Sequence, residues 1–153
     1  MENKNLQIWN SRLGKPAMEQ NVLFCAGRDV KTLPISDEIL LPFDIWTNRA
    51  HCIMLQKQGL ISKESLKGIL KGLYHLEKLV KSGKFSLDPT KEDVHINVES
   101  FVTENQGPDV GGRMHIGRSR NDQSACDMRL FLRSFSVNLF KSVNKLANTL
   151  LFQ

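Results

Sequence analysis

The chain has 153 residues, 41% hydrophobic and 24% charged, with a formal net charge of +5 at pH 7. This length suits one ordinary domain with its own core, and no apolar run is long enough for a membrane span. The polar N-terminus, Met1 to Asn5, is unlike a secretory signal, so a cytoplasmic location without a membrane partner is expected. Three widely spaced cysteines, Cys25, Cys52 and Cys126, indicate a reducing compartment and argue against a disulfide framework or a zinc site.

The N-terminal part is predicted to be an irregular arm followed by a helix. Residues 1–36 show no dominant period and allow only a short helical turn. A helix is predicted from Asp37, its candidate cap, to Gly59. Pro42 marks either a kink in this helix or its true start. The expected apolar stripe consists of Phe43, Ile45, Trp46, Ala50, Ile53, Met54 and Leu55.

Two further helices have clearer boundaries. Ser62 is a good N-cap and Gly83 a good stop for the first. Its apolar residues recur at three- and four-residue steps, at Leu66, Ile69, Leu70, Leu73, Leu76, Leu79 and Val80. The lysines at 67, 71, 78 and 81 are expected to form its solvated face. After a connecting loop, Glu92 or Asp93 opens the second helix, which ends before Gly107 and Pro108.

The segment 111–123 carries the clearest chemical signal, with three arginines and three glycines. Gly117 lets the backbone approach a ligand closely. Arg118 and Arg120 offer paired donors that match a carboxylate or a phosphate. Asn121 and Asp122 are good caps for a helix that points its positive end at this loop. Together these features favour an anion held in a fixed orientation.

Beyond Asp122, apolar residues occupy nearly every face of a long helical pattern. Such a helix must be buried on all sides, and the preceding short helices cannot cover it. The pattern also reaches Gln153 without a helix stop. The simplest expectation is a fragment cut inside a helix of a larger bundle, whose missing partners are later helices, other subunits, or both.

The residues 112–123, GRMHIGRSRNDQ, closely resemble the loop signature of the argininosuccinate lyase family and its inactive lens-crystallin relatives. These belong to the aspartase/fumarase superfamily. The segment from Glu92 to His95, with Glu99, resembles the Asp-x-His segment of that family. Residues 127–133 resemble the helix after its loop, and the range 92–133 carries the specific part of the likeness.

The resemblance implies an all-α subunit of a homotetramer. Residues 1–112 would form a small, mainly helical N-terminal lyase domain. Residues 113–153 would be the signature loop and the start of a central helical bundle. The implied reaction is β-elimination of argininosuccinate to arginine and fumarate, in arginine biosynthesis, at sites built from three segments on three subunits. No metal and no organic cofactor is implied.

The resemblance also assigns roles residue by residue. Ser119, Arg120 and Asn121 would bind the succinyl carboxylates. Asp93 and His95 would lie near the arginine-like end of the substrate. Arg118 would belong to the binding set and shape the loop with Asp122. Gly117 and Gln123 would also shape the loop, and Gln123 would begin the helix that follows it. The family's catalytic serine and its supporting histidine come from two later segments absent from these 153 residues, so no catalytic residue is assigned here.

Other functions remain open at this point. One is a non-catalytic, crystallin-like or regulatory protein on the same scaffold, and another is a related C–N lyase with a different amino-succinate substrate. A nucleic-acid module using the arginine loop ranks last, because no aromatic residues alternate with the arginines. Ser119 with His115 is a poor nucleophile candidate, because nothing would activate the hydroxyl.

Overall fold

The computed structural model describes residues 18–25 and 35–152. Within these ranges all regular structure is helical, which confirms the predicted all-α class. The elements in chain order are α1 (Glu19–Cys25), a 3₁₀ helix (Ser36–Leu40), α2 (Leu41–Lys57), α3 (Lys63–Lys81), a 3₁₀ helix (Pro89–Lys91), α4 (Val94–Gln106), α5 (Pro108–Gly111) and α6 (Arg120–Leu151). Most of the predicted irregular arm lies outside the described residues, although α1 falls within its range.

The helix boundaries follow the capping chemistry of the sequence. The Ser62 hydroxyl accepts a hydrogen bond of 3.0 Å from the backbone N–H of Ser65 at the start of α3. Pro42 lies in the first turn of α2 and marks its start, so this helix has no proline kink there. Gly59 and Gly83 follow helix ends at φ angles of +72° and +66°, a region that favours glycine. The starts and stops predicted at Pro42, Gly59, Ser62 and Gly83 are confirmed. The predicted cap at Asp37 was wrong, because this residue lies in the 3₁₀ helix before α2 and its carboxylate accepts a 3.3 Å hydrogen bond from the N–H of Val94.

The apolar core lies where α2, α3 and α4 pack together. Its most completely buried side chains belong to all three helices and include Leu55, Ile69, Leu73, Leu76, Val94, Val98 and Val102. The short helix α5 closes against α4 at Gly111, where an added Cβ would lie 2.5 Å from the Cα of Thr103. Only glycine permits this contact, and the arginine loop starts directly after it.

The buried face of α2 differs from the predicted stripe. Trp46 is 60% exposed, and Ile53 and Met54 are exposed as well. Two polar residues, Asp44 and Asn48, are buried in their place. The prediction was wrong here because it counted apolar residues alone. A polar side chain can be buried when its hydrogen bonds are satisfied inside the protein, and Asp44 and Asn48 bond to each other.

Helix α6 is buried over its first part only. Gln123 and Asp127 are buried, and the Phe131 ring meets Phe43 edge-on at a centroid distance of 6.2 Å. Beyond Phe131 the apolar side chains are exposed, so the other described helices do not cover this part of α6, as predicted. None of the described helices is both long and apolar enough to cross a membrane.

Candidate active site

The arginine loop turns into α6 through a capping box at Ser119. The Ser119 hydroxyl accepts a 3.2 Å hydrogen bond from the N–H of Asn121, and the Asp122 carboxylate accepts one of 3.1 Å from the N–H of Ser119. Gly117 has a φ of +68°, which permits the turn into this cap. The helix therefore begins at Arg120. The prediction that Gln123 begins it was wrong, because this reciprocal cap satisfies the backbone one turn earlier.

Arg120 joins the loop to the start of α4. Its Nη1 atom lies 3.2 Å from Oδ2 of Asp93 and 3.7 Å from Oε2 of Glu92. Asp93 is also the N-cap of α4, since its Oδ1 atom accepts a 2.7 Å hydrogen bond from the N–H of Ile96. The side chain of Arg120 remains 32% exposed. The structure thus places a loop arginine beside the Asp-x-His segment, 27 residues earlier in the chain.

Arg118 reaches inward from the same loop. Its Nη2 atom donates a 2.5 Å hydrogen bond to Oδ1 of Asn48 in α2. Burial lowers the pKa of this guanidinium, and nearby acidic groups, led by Asp44, oppose that shift. The two arginines therefore have different surroundings, one half-exposed among carboxylates and one partly buried against an amide.

A buried polar network lies beneath the loop, centred on the carboxylate of Asp44. His95 Nδ1 donates to its Oδ1 atom at 2.7 Å, and the side-chain amide of Gln123 donates to the same oxygen. Asn48 donates to the Oδ2 atom at 2.8 Å. On the other side of the imidazole, His95 Nε2 lies 2.7 Å from the hydroxyl of Ser124. Helices α2, α4 and α6 therefore meet through hydrogen bonds at this point.

A second carboxylate, Asp127, completes the network. Its Oδ1 atom accepts a 2.7 Å hydrogen bond from Thr47, and its Oδ2 atom lies 3.8 Å from His95 Nδ1. Burial raises the pKa of Asp127 to about 7, and the charge of Asp44 adds to this shift. Burial alone lowers the pKa of His95, but its hydrogen bond with Asp44 and the negative charges of Asp44, Asp93 and Asp127 raise the net pKa above its ordinary value.

Three buried polar atoms within the described ranges have no hydrogen-bond partner: Arg118 Nε, Gln123 Oε1 and Asp127 Oδ2. Ligand atoms of Asp44, His95 and Asp127 also lie within 4.8 Å of one another, a spacing that a metal ion could use. Both carboxylate oxygens of Asp44 and both ring nitrogens of His95 already take part in hydrogen bonds. We assign no metal ligand here.

A protein-family model described as a lyase matches residues 32–153 of this chain. The chain belongs to this lyase family.

The most similar relatives carry one name. The chain is 35% identical over 145 residues to a protein named argininosuccinate lyase from Campylobacter jejuni, covering 95% of this chain and 30% of the relative. Proteins of the same name from Thermus thermophilus and Streptococcus thermophilus are 48% identical over 97 residues and 40% identical over 114 residues. These cover 63% and 74% of this chain, and 21% and 24% of the relatives. The chain thus spans less than a third of the length of these proteins.

In this lyase chain, the residues singled out from sequence form two layers. Gly117, Ser119, Asn121 and Asp122 lie at the exposed start of α6. Arg120 and Asp93 bridge the loop and α4. Beneath them lie the inward-facing Arg118 and the buried His95 and Gln123. The structure therefore brings the predicted residues into one region, while their roles in binding stay predictions.

The sequence prediction missed five residues of the network: Asp44, Asn48, Thr47, Ser124 and Asp127. A signal was present for the first two. Asp44 and Asn48 are four residues apart, and therefore share one face of α2, on a helix whose other buried residues are apolar. Asp127 lies one turn after Gln123 on α6, which places both on the buried side of that helix. Ser124 gives no such signal, because its partner His95 lies 29 residues away in sequence.

Proposed function

We propose that this protein is an argininosuccinate lyase subunit. The reaction is β-elimination of argininosuccinate to arginine and fumarate, a step of arginine biosynthesis. The observation that carries the proposal is the contact between Arg120 of the signature loop and Asp93 of the Asp-x-His segment, at 3.2 Å. Membership of the lyase family and similarity to proteins named argininosuccinate lyase support it.

Carboxylate recognition is the proposed task of the exposed layer. Arg120 offers a guanidinium to one succinyl carboxylate, and Ser119 and Asn121 add polar groups at the positive end of α6. Glu92 and Asp93 hold the Arg120 side chain in place. The guanidinium presents several N–H groups in one plane, a geometry that matches the two oxygens of a carboxylate.

The Asp-x-His segment is proposed to support the opposite end of the substrate. Asp93 supplies a negative charge for a cationic, arginine-like group, and His95 lies directly behind it on α4. Arg118 shapes the loop from within, through its hydrogen bond to Asn48. Proton abstraction and release of the amine are assigned to segments of the protein outside these 153 residues, and no metal or organic cofactor enters the proposal.

Assembly into a homotetramer is part of the proposal. The apolar residues of α6 beyond Phe131 are exposed, and helices of other subunits would cover them. Cys52 and Cys126 are both free thiols, which fits the reducing cytoplasm as the working compartment. We propose further that the domain boundary falls between residues 112 and 113, where the loop leaves α5.

The test uses the complete gene product and argininosuccinate, with fumarate formation as the measurement. Replacing Arg120 by alanine should lower kcat/KM by about 10- to 100-fold, the range expected for one charge-assisted hydrogen bond. Arg113→Ala is the matched control, because this arginine is exposed in the same loop and bonds only to the carbonyl of Asp109 among the described contacts. It should leave kcat/KM within a factor of about two.

The outcomes separate the candidate functions. Absence of fumarate from a folded, assembled protein would overturn the proposal. Elimination from another amino-succinate, with none from argininosuccinate, would identify a related C–N lyase. A folded assembly that binds neither compound would identify a non-catalytic protein on the same scaffold.

A further inference from the structure

Three side chains from three helices form a continuous row in the buried network. Ser124 Oγ lies 2.7 Å from His95 Nε2, and His95 Nδ1 lies 2.7 Å from Asp44 Oδ1. This is the order and the spacing of a serine–histidine–carboxylate triad, which is recognised by geometry and can occur on unrelated folds. The substrate-binding roles proposed above do not involve the Ser124 hydroxyl.

The row is directed outward. Asp44 is fully buried and His95 is 7% exposed, whereas Ser124 is exposed. A carboxylate can only accept hydrogen bonds, so the hydrogen on the inner side of the imidazole belongs to Nδ1. In the neutral imidazole the lone pair of Nε2 then faces the hydroxyl of Ser124 and can receive its proton.

The surroundings hold the base in this orientation. Asn48 and Gln123 donate to the Asp44 carboxylate and fix its plane. The Asp44 carboxylate lies 2.7 Å from His95 Nδ1, and its negative charge favours the imidazolium that forms when His95 takes a proton. The imidazole of His95 therefore has a fixed tautomer, a fixed hydrogen-bond partner and a negative charge beside it. An isolated serine has no such base next to its hydroxyl.

We propose that Ser124 is an activated nucleophile that accepts an acyl group from small activated esters. In this step the Ser124 oxygen attacks the ester carbonyl carbon, and its proton passes to His95 Nε2. The tetrahedral adduct expels the alcohol or phenol, which takes up the proton from His95. The products are the O-acyl ester of Ser124 and the free leaving group, so no oxidant, reductant or further reactant is needed.

The experiment treats the assembled protein with p-nitrophenyl acetate and maps acetylation by peptide mass spectrometry. Ser124 is expected to react about 100-fold faster than Ser134, the range that a positioned general base provides. Ser134 is the matched control, because it is an exposed serine on the same helix without a histidine partner in the described contacts. This comparison within one molecule does not depend on any variant folding.

Two variants test the roles in the row. His95→Gln should reduce the acetylation rate of Ser124 to that of Ser134, and Ser124→Ala should remove acetyl from that peptide without changing the rate at Ser134. Equal rates at Ser124 and Ser134 in the unaltered protein would overturn the proposal. An unchanged Ser124 rate in a folded His95→Gln variant would overturn it as well. Neither readout uses fumarate formation, so its failure is distinct from failure of the proposed lyase function.

Discussion

The two halves of α6 show opposite relations between polarity and burial. In the first half, the polar residues Gln123 and Asp127 are 2% and 0% exposed. In the second half, Phe135, Leu146 and Leu151 are 54%, 60% and 77% exposed. One continuous helix therefore buries polar groups within the chain and presents apolar groups at its surface.

This contrast shows that apolar content alone does not locate the interior of a chain. The first half is buried because hydrogen bonds from α2 and α4 satisfy its polar atoms, which removes most of the cost of burying them. The second half has no such neighbours among the described residues, and its apolar stripe is of the kind that another subunit or helix covers. The predictions below test each half against the other.

The largest effect is expected at the apolar surface. Leu139→Asp should raise the dissociation constant of the proposed assembly by about 1,000-fold or more, because burying an unpaired carboxylate costs several kcal/mol. Multi-angle light scattering on a sizing column would measure the mass. Asn144→Asp, with the same charge change at an exposed polar position of the helix, should keep the mass of the unaltered protein. An unchanged mass for Leu139→Asp would show that this surface is not an interface.

The next effect concerns the centre of the polar network. Asp44→Ala should lower the free energy of unfolding by about 3–5 kcal/mol, because it leaves buried donors on His95, Asn48 and Gln123 without their acceptor. Urea denaturation would measure this loss. The control Glu38→Ala removes an exposed carboxylate and should change stability by less than about 0.5 kcal/mol. Equal effects for the two variants would mean that the network does not stabilise the fold.

The third effect is a pH dependence. The pKa of Asp127 is raised to about 7 by burial, and the pKa of His95 is raised by its acidic neighbours despite burial. A group whose pKa is higher in the folded state than in the unfolded state contributes its full stabilisation below the unfolded-state pKa. That stabilisation is lost as the pH rises through the folded-state pKa. For Asp127 this pH window runs from the ordinary pKa of 3.8 to about 7, and the window of His95 begins at its ordinary pKa of 6.5. Stability should therefore fall as the pH rises through this range.

Asp127→Asn separates the contribution of the Asp127 carboxylate to this pH dependence from that of His95. The amide cannot ionise, so the variant should lose less stability than the unaltered protein between pH 5 and pH 8, about the range set by the two groups. Thermal melting at several pH values would measure the difference. Parallel curves for the two proteins would contradict a raised pKa of Asp127.

The smallest effect is expected at the start of α6. Ser119→Ala removes the hydroxyl that accepts a hydrogen bond from the N–H of Asn121 and leaves the Asp122 half of the capping box. The free energy of unfolding should fall by about 1 kcal/mol. Ser142→Ala, in the exposed second half, removes only a hydroxyl bonded to the carbonyl of Asn138 and should change stability by less than about 0.5 kcal/mol. Urea denaturation would compare them, and an equal cost at both positions would argue against the cap.

The sequence predicted the helix boundaries well because capping is local. Ser62, Asp93 and the glycines after α2 and α3 each act within a few residues of their own position. The start of α6 was misjudged by one turn, although the spacing of Ser119 and Asp122 is that of a capping box and was readable in the sequence.

The polar network was harder to predict because its contacts join distant parts of the chain. Asp44 meets His95 across 51 residues and Gln123 across 79. No local sequence pattern specifies contacts over such distances. The apolar stripe expected on α2 also placed Trp46 and Met54 on the buried face of this helix, where the structure has Asp44 and Asn48. A polar pair on a mostly apolar helix face was the available signal. The loop residues from 117 to 123 were found because their own chemistry is distinctive, without any knowledge of what lies beneath them.

The contact between Gly111 and Thr103 fixes where the arginine loop starts relative to α4. Because the backbone of α5 rests directly on Thr103 of α4, the loop that carries Arg118 and Arg120 starts from a fixed point on the same helix that begins at Asp93. A shift of α4 within the bundle would therefore carry both segments along together. The arginine loop and the Asp93 segment are therefore both attached to α4.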